Sequence, residues 1–100
     1  MASESFSVGS KTFMGHVIPI GPVNLVFAMG EKGLVGCGAV DVLALDKFHL
    51  PAAKVRPVST PSVSTINELL SGEIVAVNQA GTALGITIGM SGKDALLRLA

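Results

Sequence analysis

The chain has 100 residues, of which 49% are hydrophobic and 14% charged, and its seven basic and seven acidic side chains cancel to a net charge of zero. Charged residues usually make up about 25% of a soluble domain, and so short a chain buries only about two-thirds of its unfolded-state surface, so the balance predicts a homo-oligomer with an apolar interface. With no basic run, no Trp or Tyr and four scattered Phe, nucleic-acid binding is excluded.

The chain reads as one domain over residues 11–100, preceded by a flexible polar lead-in over residues 1–10. That lead-in has no apolar core and is not a secretory signal. In "KTFMGHVIPI", His16, Ile18 and Ile20 share one face of a strand, and Pro19, which has no N–H to donate, makes it an edge or strand-end segment. "VNLVFAM" at 23–29 and "LVGCGAV" at 34–40 flank "GEKG", the pattern of a β-hairpin. Asp41 is positioned to cap a short helix carrying Val42, Leu43, Leu45 and Phe48, which must end before Pro51.

"AAKVRPV" alternates, with Ala53 and Val55 on one face and Lys54 and Arg56 on the other, as a half-buried strand does. Between Val40 and Ala52 there is room for one short βαβ crossover. After the loop "STPSVST", Thr65 and Glu68 stand at capping-box spacing in front of Leu69 and Leu70, and Gly72 stops that helix. Residues 74–84 read two ways: Ile74, Val77 and Leu84 fit one helical face, closed by Gly85 and Ile86, while "EIVAV" also reads as a strand, and the helix is favoured. The last element is a helix begun by Ser91 and Asp94 before Ala95, Leu96, Leu97 and Leu99. Ile74–Gly92 carries no charge, yet Gly81, Gly85, Gly89, Asn78 and Gln79 interrupt it, so it is no lipid-facing span. The expected fold is a two-layer α+β sandwich: a small, mostly antiparallel sheet with one βαβ crossover, covered by short helices.

Candidate chemistry is sparse. Cys37 is the single cysteine; it cannot form an intramolecular disulfide or a cysteine zinc site, and it fits a reducing, cytoplasmic setting. Gly36 and Gly38 leave one face of the strand bare beside it, so Gly36, Cys37, Gly38 and Asp41 form a candidate ligand-binding cluster. The rival reading makes Cys37 a catalytic nucleophile near a helix N-terminus, with His16 or His49 as its base. Against it stands plain packing, since free cysteine is among the most buried residue types. Asp46 and His49 make only half a metal site, and no metal or cofactor is expected. "GITIGMSGKD" fails the phosphate-loop pattern, leaving the N–H groups of Ser91, Gly92 and Lys93 as a candidate anion-binding site.

Taken in order, "NLVFAMGEKGLVGCGAVDV" at 24–42, "PAAKV" at 51–55, "TINELL" at 65–70 and "LGITIGMSGKDALLRL" at 84–99 resemble the YunC-like family, small bacterial and archaeal proteins with a domain of unknown function. The most specific pieces are Cys-Gly-x-x-Asp and the final Gly-Met-x-Gly. The connection "RPVSTPSVS" has extra Ser and Pro relative to the family pattern. The resemblance implies a compact α+β fold assembled into an oligomer, and it supplies no catalytic residues. The functional expectation is an oligomeric module that binds a small molecule or a partner and engages neither membrane nor nucleic acid. A thiol-dependent enzyme using Cys37 and a purely structural subunit are the alternatives.

Overall fold

The structure, a computed structural model, describes residues 2–58 and 60–100; Met1 in the expected lead-in and Ser59 in the expected loop lie outside them. Six strands form one mixed sheet in chain order: β1 (Ala2–Val8), β2 (Lys11–Ile20), β3 (Val23–Met29), β4 (Leu34–Gly36), β5 (Ala52–Arg56) and β6 (Glu73–Val77). Every neighbouring pair is antiparallel except β4 and β5, which run parallel and are joined through α1 (Val42–Asp46). The other helices are α2 (Ile66–Ser71), α3 (Gln79–Ala83) and α4 (Gly92–Leu97). The fold is α+β, with a mostly antiparallel sheet.

The first strands are built by their turns. Val8 pairs with Lys11 across Gly9–Ser10, and Ile20 with Val23 across Gly21–Pro22. In both two-residue loops the first position is a glycine at positive φ, as a hairpin turn matched to strand twist requires. The expected lead-in is therefore a strand, and β2 an interior one. Phe6 and Val8 of β1 turn inward, and Phe6 lies across from Phe13 with ring centroids 5.9 Å apart. Pro19 keeps its place because β1 reaches only as far as Val17, so the missing donor faces no strand.

One face of the sheet carries the core. Phe13, Val26, Ala28, Val35, Ala53, Val55 and Ile74 are buried there under Ile66 and Leu69 of α2 and Ala95 and Leu96 of α4. The crossover lies on the opposite face. A Cβ on Gly36 would collide with Val40, and α1 packs on β5 and β6. Helices α2 and α4 thus cover the core face, and α1 lies on the other face beside β5 and β6.

The expected helix over residues 74–84 is a strand followed by a helix. "EIVAV" pairs with β5 through a bulge between Lys54 and Val55, and Asn78 then caps α3 by accepting the Gly81 N–H. Its expected end is present: Gly85 has φ 91°, its N–H reaches the Thr82 carbonyl, and the Ile86 N–H reaches that of Gly81. Asn78 is also a hub, 1% exposed. Its Oδ1 accepts the Ala52 N–H as well, while Nδ2 donates to the carbonyls of Val42 at 2.9 Å and Leu50 at 2.8 Å. One side chain therefore ties α1, β5 and α3 together.

Candidate functional site

β4 is shorter than both its neighbours. Its last pairs are Gly36 with Phe27 of β3 and Gly36 with Lys54 of β5, yet β3 extends back to Val23 and β5 forward to Arg56. The chain leaves the sheet at Cys37 because its carbonyl accepts the Val40 N–H at 3.1 Å and closes a turn. The slot that a longer β4 would fill is left as a groove of about 480 Å³. Val23 and Asn24 form one bank, and Lys54, Val55, Arg56 and Pro57 the other. Cys37, Gly38 and Ala39 close its end, and Pro61, Ser62, Val63 and Val75 complete the lining. The groove opens at the carboxyl ends of the parallel pair, where the two chains part in different directions.

Cys37 has a structural task. Its N–H donates to the Val26 carbonyl at 2.9 Å, and its Sγ lies 3.5 Å from the Val26 N–H, in the place where a longer β4 would have offered a carbonyl. The side chain is 6% exposed and belongs to the core cluster. Neither histidine joins it. His16 lies on the other face of the sheet, stacked on Phe27 at a centroid distance of 4.8 Å, with Nδ1 2.8 Å from Ser3 Oγ. His49 is exposed past the end of α1 with φ 57°. The sheet stands between Cys37 and the bases that a nucleophile would need.

The candidate ligand cluster divides. Cys37 and Gly38 line the groove; Gly36 faces the other way, beneath Val40. Asp41 is exposed and caps α1, accepting the N–H groups of Leu43 and Ala44 at 3.1 Å. At the candidate anion site, Gly92 donates its N–H to the Gly72 carbonyl and Ser91 Oγ accepts that of Asp94, so the helix start is already engaged by the protein's own groups. Gly92 packs so closely on the Leu69 carbonyl that a Cβ would collide with it, and only Lys93 projects outward. Asp46 uses its carboxylate on the Ala80 N–H at 3.2 Å, away from any pairing with His49.

Sequence reasoning misses Asn24, Lys54 and Val63 as groove residues. Asn24 is the recoverable one: a polar residue inside "VNLVFAM" on the core side of β3. Its Nδ2 donates to the Ser64 carbonyl at 3.0 Å and so fixes the loop that floors the groove. The Val26 N–H points away from β2, toward Cys37, so the Asn24 N–H two residues earlier points the same way, into the groove. Arg56 is held by Glu73 at 3.1 Å; Lys54 has no carboxylate partner among the described residues.

Residues 36–99 match the family described as "Domain of unknown function (DUF1805)", a span that opens at the last residue of β4. The chain belongs to the DUF1805 family. It is 29% identical over 92 residues to "Uncharacterized protein YunC" of Bacillus subtilis (strain 168), covering 92% of this chain and 90% of that protein. The crystal structure of a protein of unknown function, TA1206 from Thermoplasma acidophilum, shares the fold. Its TM-score is 0.88 at 24% identity, over 99% of this chain and 92% of that one.

Proposed function

We propose that this DUF1805 protein is a non-enzymatic binding module of the cytoplasm, assembled from copies of itself. Its ligand site is the groove where β4 stops short, built by a βαβ crossover that leaves the sheet at Cys37. The observation that carries this reading is the slot itself: apolar banks of Val23, Val55, Pro57 and Val63 with one unpaired cation, Lys54, on the rim among the described residues. Such a site suits a small molecule with an apolar body and one carboxylate, its charge met by Lys54 and by the Asn24 N–H, which finds no acceptor among the described residues. The thiol-enzyme alternative gains nothing from a buried Sγ that faces a backbone N–H on the side of the sheet away from His16.

The test is a titration of the ¹⁵N-labelled protein with hexanoate and benzoate, followed by amide shifts. Saturable shifts at Asn24, Gly38, Ala39 and Val63, weakened about tenfold or more by Lys54→Met, are expected for a lost charge-assisted contact. Shifts confined to other surfaces, or none up to millimolar ligand, would reject the groove as a site for such molecules.

A further inference from the structure

The face of the sheet opposite the core is bare over β1–β3. Met14, Ile18 and Ile20 of β2 lie across from Met29, Leu25 and Val23 of β3, and His16 lies stacked on Phe27 between them. Met14, Ile20, Val23 and Met29 are 41%, 53%, 58% and 43% exposed. The neighbouring positions on β1 and at the start of β2 are Ser3, Ser5, Ser7 and Thr12, polar but uncharged. We infer that this face is the surface through which two copies of the chain associate, sheet against sheet about a two-fold axis.

Two observations point to a second copy as the occupant, and a third sets the strength of the contact. First, the two-stranded centre and its serine margin carry no Lys, Arg, Asp or Glu, so the face complements itself and leaves no charge unpaired when two copies meet. A strongly charged partner would find nothing to pair with. Second, the pattern is that of an interface, an apolar centre with a polar rim. Third, the size sets the strength. Thr12 to Ile20 at about 3.4 Å per residue, across the three strands β1–β3 about 4.8 Å apart, gives a plan of roughly 30 × 14 Å. Two copies would then cover about 840 Å², below the roughly 1,200 Å² of a standard interface and in the range of a weak, reversible contact. Sheets meeting this way stand about 10 Å apart, and the Met, Ile and Leu side chains of the two faces can fill that layer. Val23 borders the groove as well, while Met14, Ile18, Ile20 and Met29 lie outside it; the inference rests on the self-assembly part of the reading above and is tested apart from its ligand part.

The test is sedimentation equilibrium of the full chain with two face variants, Met14→Asp and Met29→Asp, and a control away from β1–β3, Leu43→Asp, on the exposed side of α1. The parent and the control are expected at twice the chain mass of 10.1 kDa. Each face variant is expected to raise the dimer dissociation constant about a hundredfold or more, because it buries an unpaired charge. Far-UV circular dichroism of each variant, matching the parent, shows that folding is intact; both substituted side chains are exposed in the single chain, so neither should disturb it. A parent that stays monomeric up to millimolar concentration overturns the inference. So does an assembly that both face variants leave intact, or one that only Leu43→Asp dissolves.

Discussion

Replacing Asn78 by aspartate tests how much of the fold is held by one buried amide. The substitution keeps the shape and the Oδ1 acceptor that caps α3 and holds the Ala52 N–H, but it turns the donor into a second acceptor. That oxygen would face the carbonyls of Val42 and Leu50, which now sit 2.9 and 2.8 Å from Nδ2. Two buried carbonyls left without donors cost about 1–3 kcal/mol each, and an unpaired buried carboxylate adds several more unless it takes up a proton. A loss of about 4 kcal/mol or more at neutral pH is expected, against a typical total of about 5–15 kcal/mol. Burial and the two carbonyls raise the folded-state pKa of the introduced carboxyl above its unfolded value of about 3.9. The penalty is therefore full above the folded value and shrinks as pH falls through it, so the variant gains on the parent in acid. Urea unfolding followed by circular dichroism at two pH values measures both effects. A variant within about 1 kcal/mol of the parent at neutral pH would refute the accounting of Asn78 as a donor to two carbonyls.

Two further outcomes follow from the same kind of bond. Cys37 should be alkylated far more slowly in the native protein than in denaturant, and Cys37→Ala should cost about 1–3 kcal/mol by leaving the Val26 N–H without an acceptor; equal rates in both states would contradict the buried position. The Ser64 N–H donates to Glu68 Oε1 at 2.9 Å, as does the Ser64 hydroxyl, and these bonds, the backbone one first, hold the Glu68 carboxyl below its ordinary 4.5. A lowered folded-state value gives stability that is present above the unfolded pKa and is lost as pH falls through the folded one. The melting-temperature gap between parent and Glu68→Gln should therefore narrow in acid; a gap constant with pH would remove Glu68 from the acid limb.

Elements set by local chemistry are legible in the sequence. Gly30–Gly33 turns β3 into β4, with the Gly30 N–H on the Gly33 carbonyl at 2.9 Å. Asp41, Thr65 and Ser91 each cap the helix expected of them. The capping box at α2 is displaced by one residue in its return arm, since Glu68 reaches the Ser64 N–H. Elements that depend on distant partners are not legible in this way. "ASESFSV" is too polar to announce a strand, and it becomes one because Phe6 finds Phe13 across a tight turn. Ile74, Val77 and Leu84 fall at helical spacing by coincidence, whereas the β-branched "EIVAV" answers to β5 and Asn78 marks the break. The groove is half visible, through Cys37 and Gly38, because its other half is a difference in strand lengths that no local pattern encodes.

The two open features of the molecule have a common origin in the reach of the β4–β5 connection. Fifteen residues, Cys37 to Pro51, must leave β4, form α1 and return beside it in parallel. A connection so short, close to the minimum of about 10–12 residues for a crossover, can cover only the strands it joins and their neighbour. It leaves the sheet at Cys37 early enough to vacate the slot between β3 and β5, and it cannot extend over β1–β3. Those strands could have carried polar side chains on their bare face at no cost to the core, since Met14, Ile18, Ile20, Val23 and Met29 lie on the side away from it. Cross-strand pairing of Met14 with Met29 and of Ile20 with Val23 supports the hairpin itself. The pairing of two copies inferred above would bury what the hairpin leaves exposed.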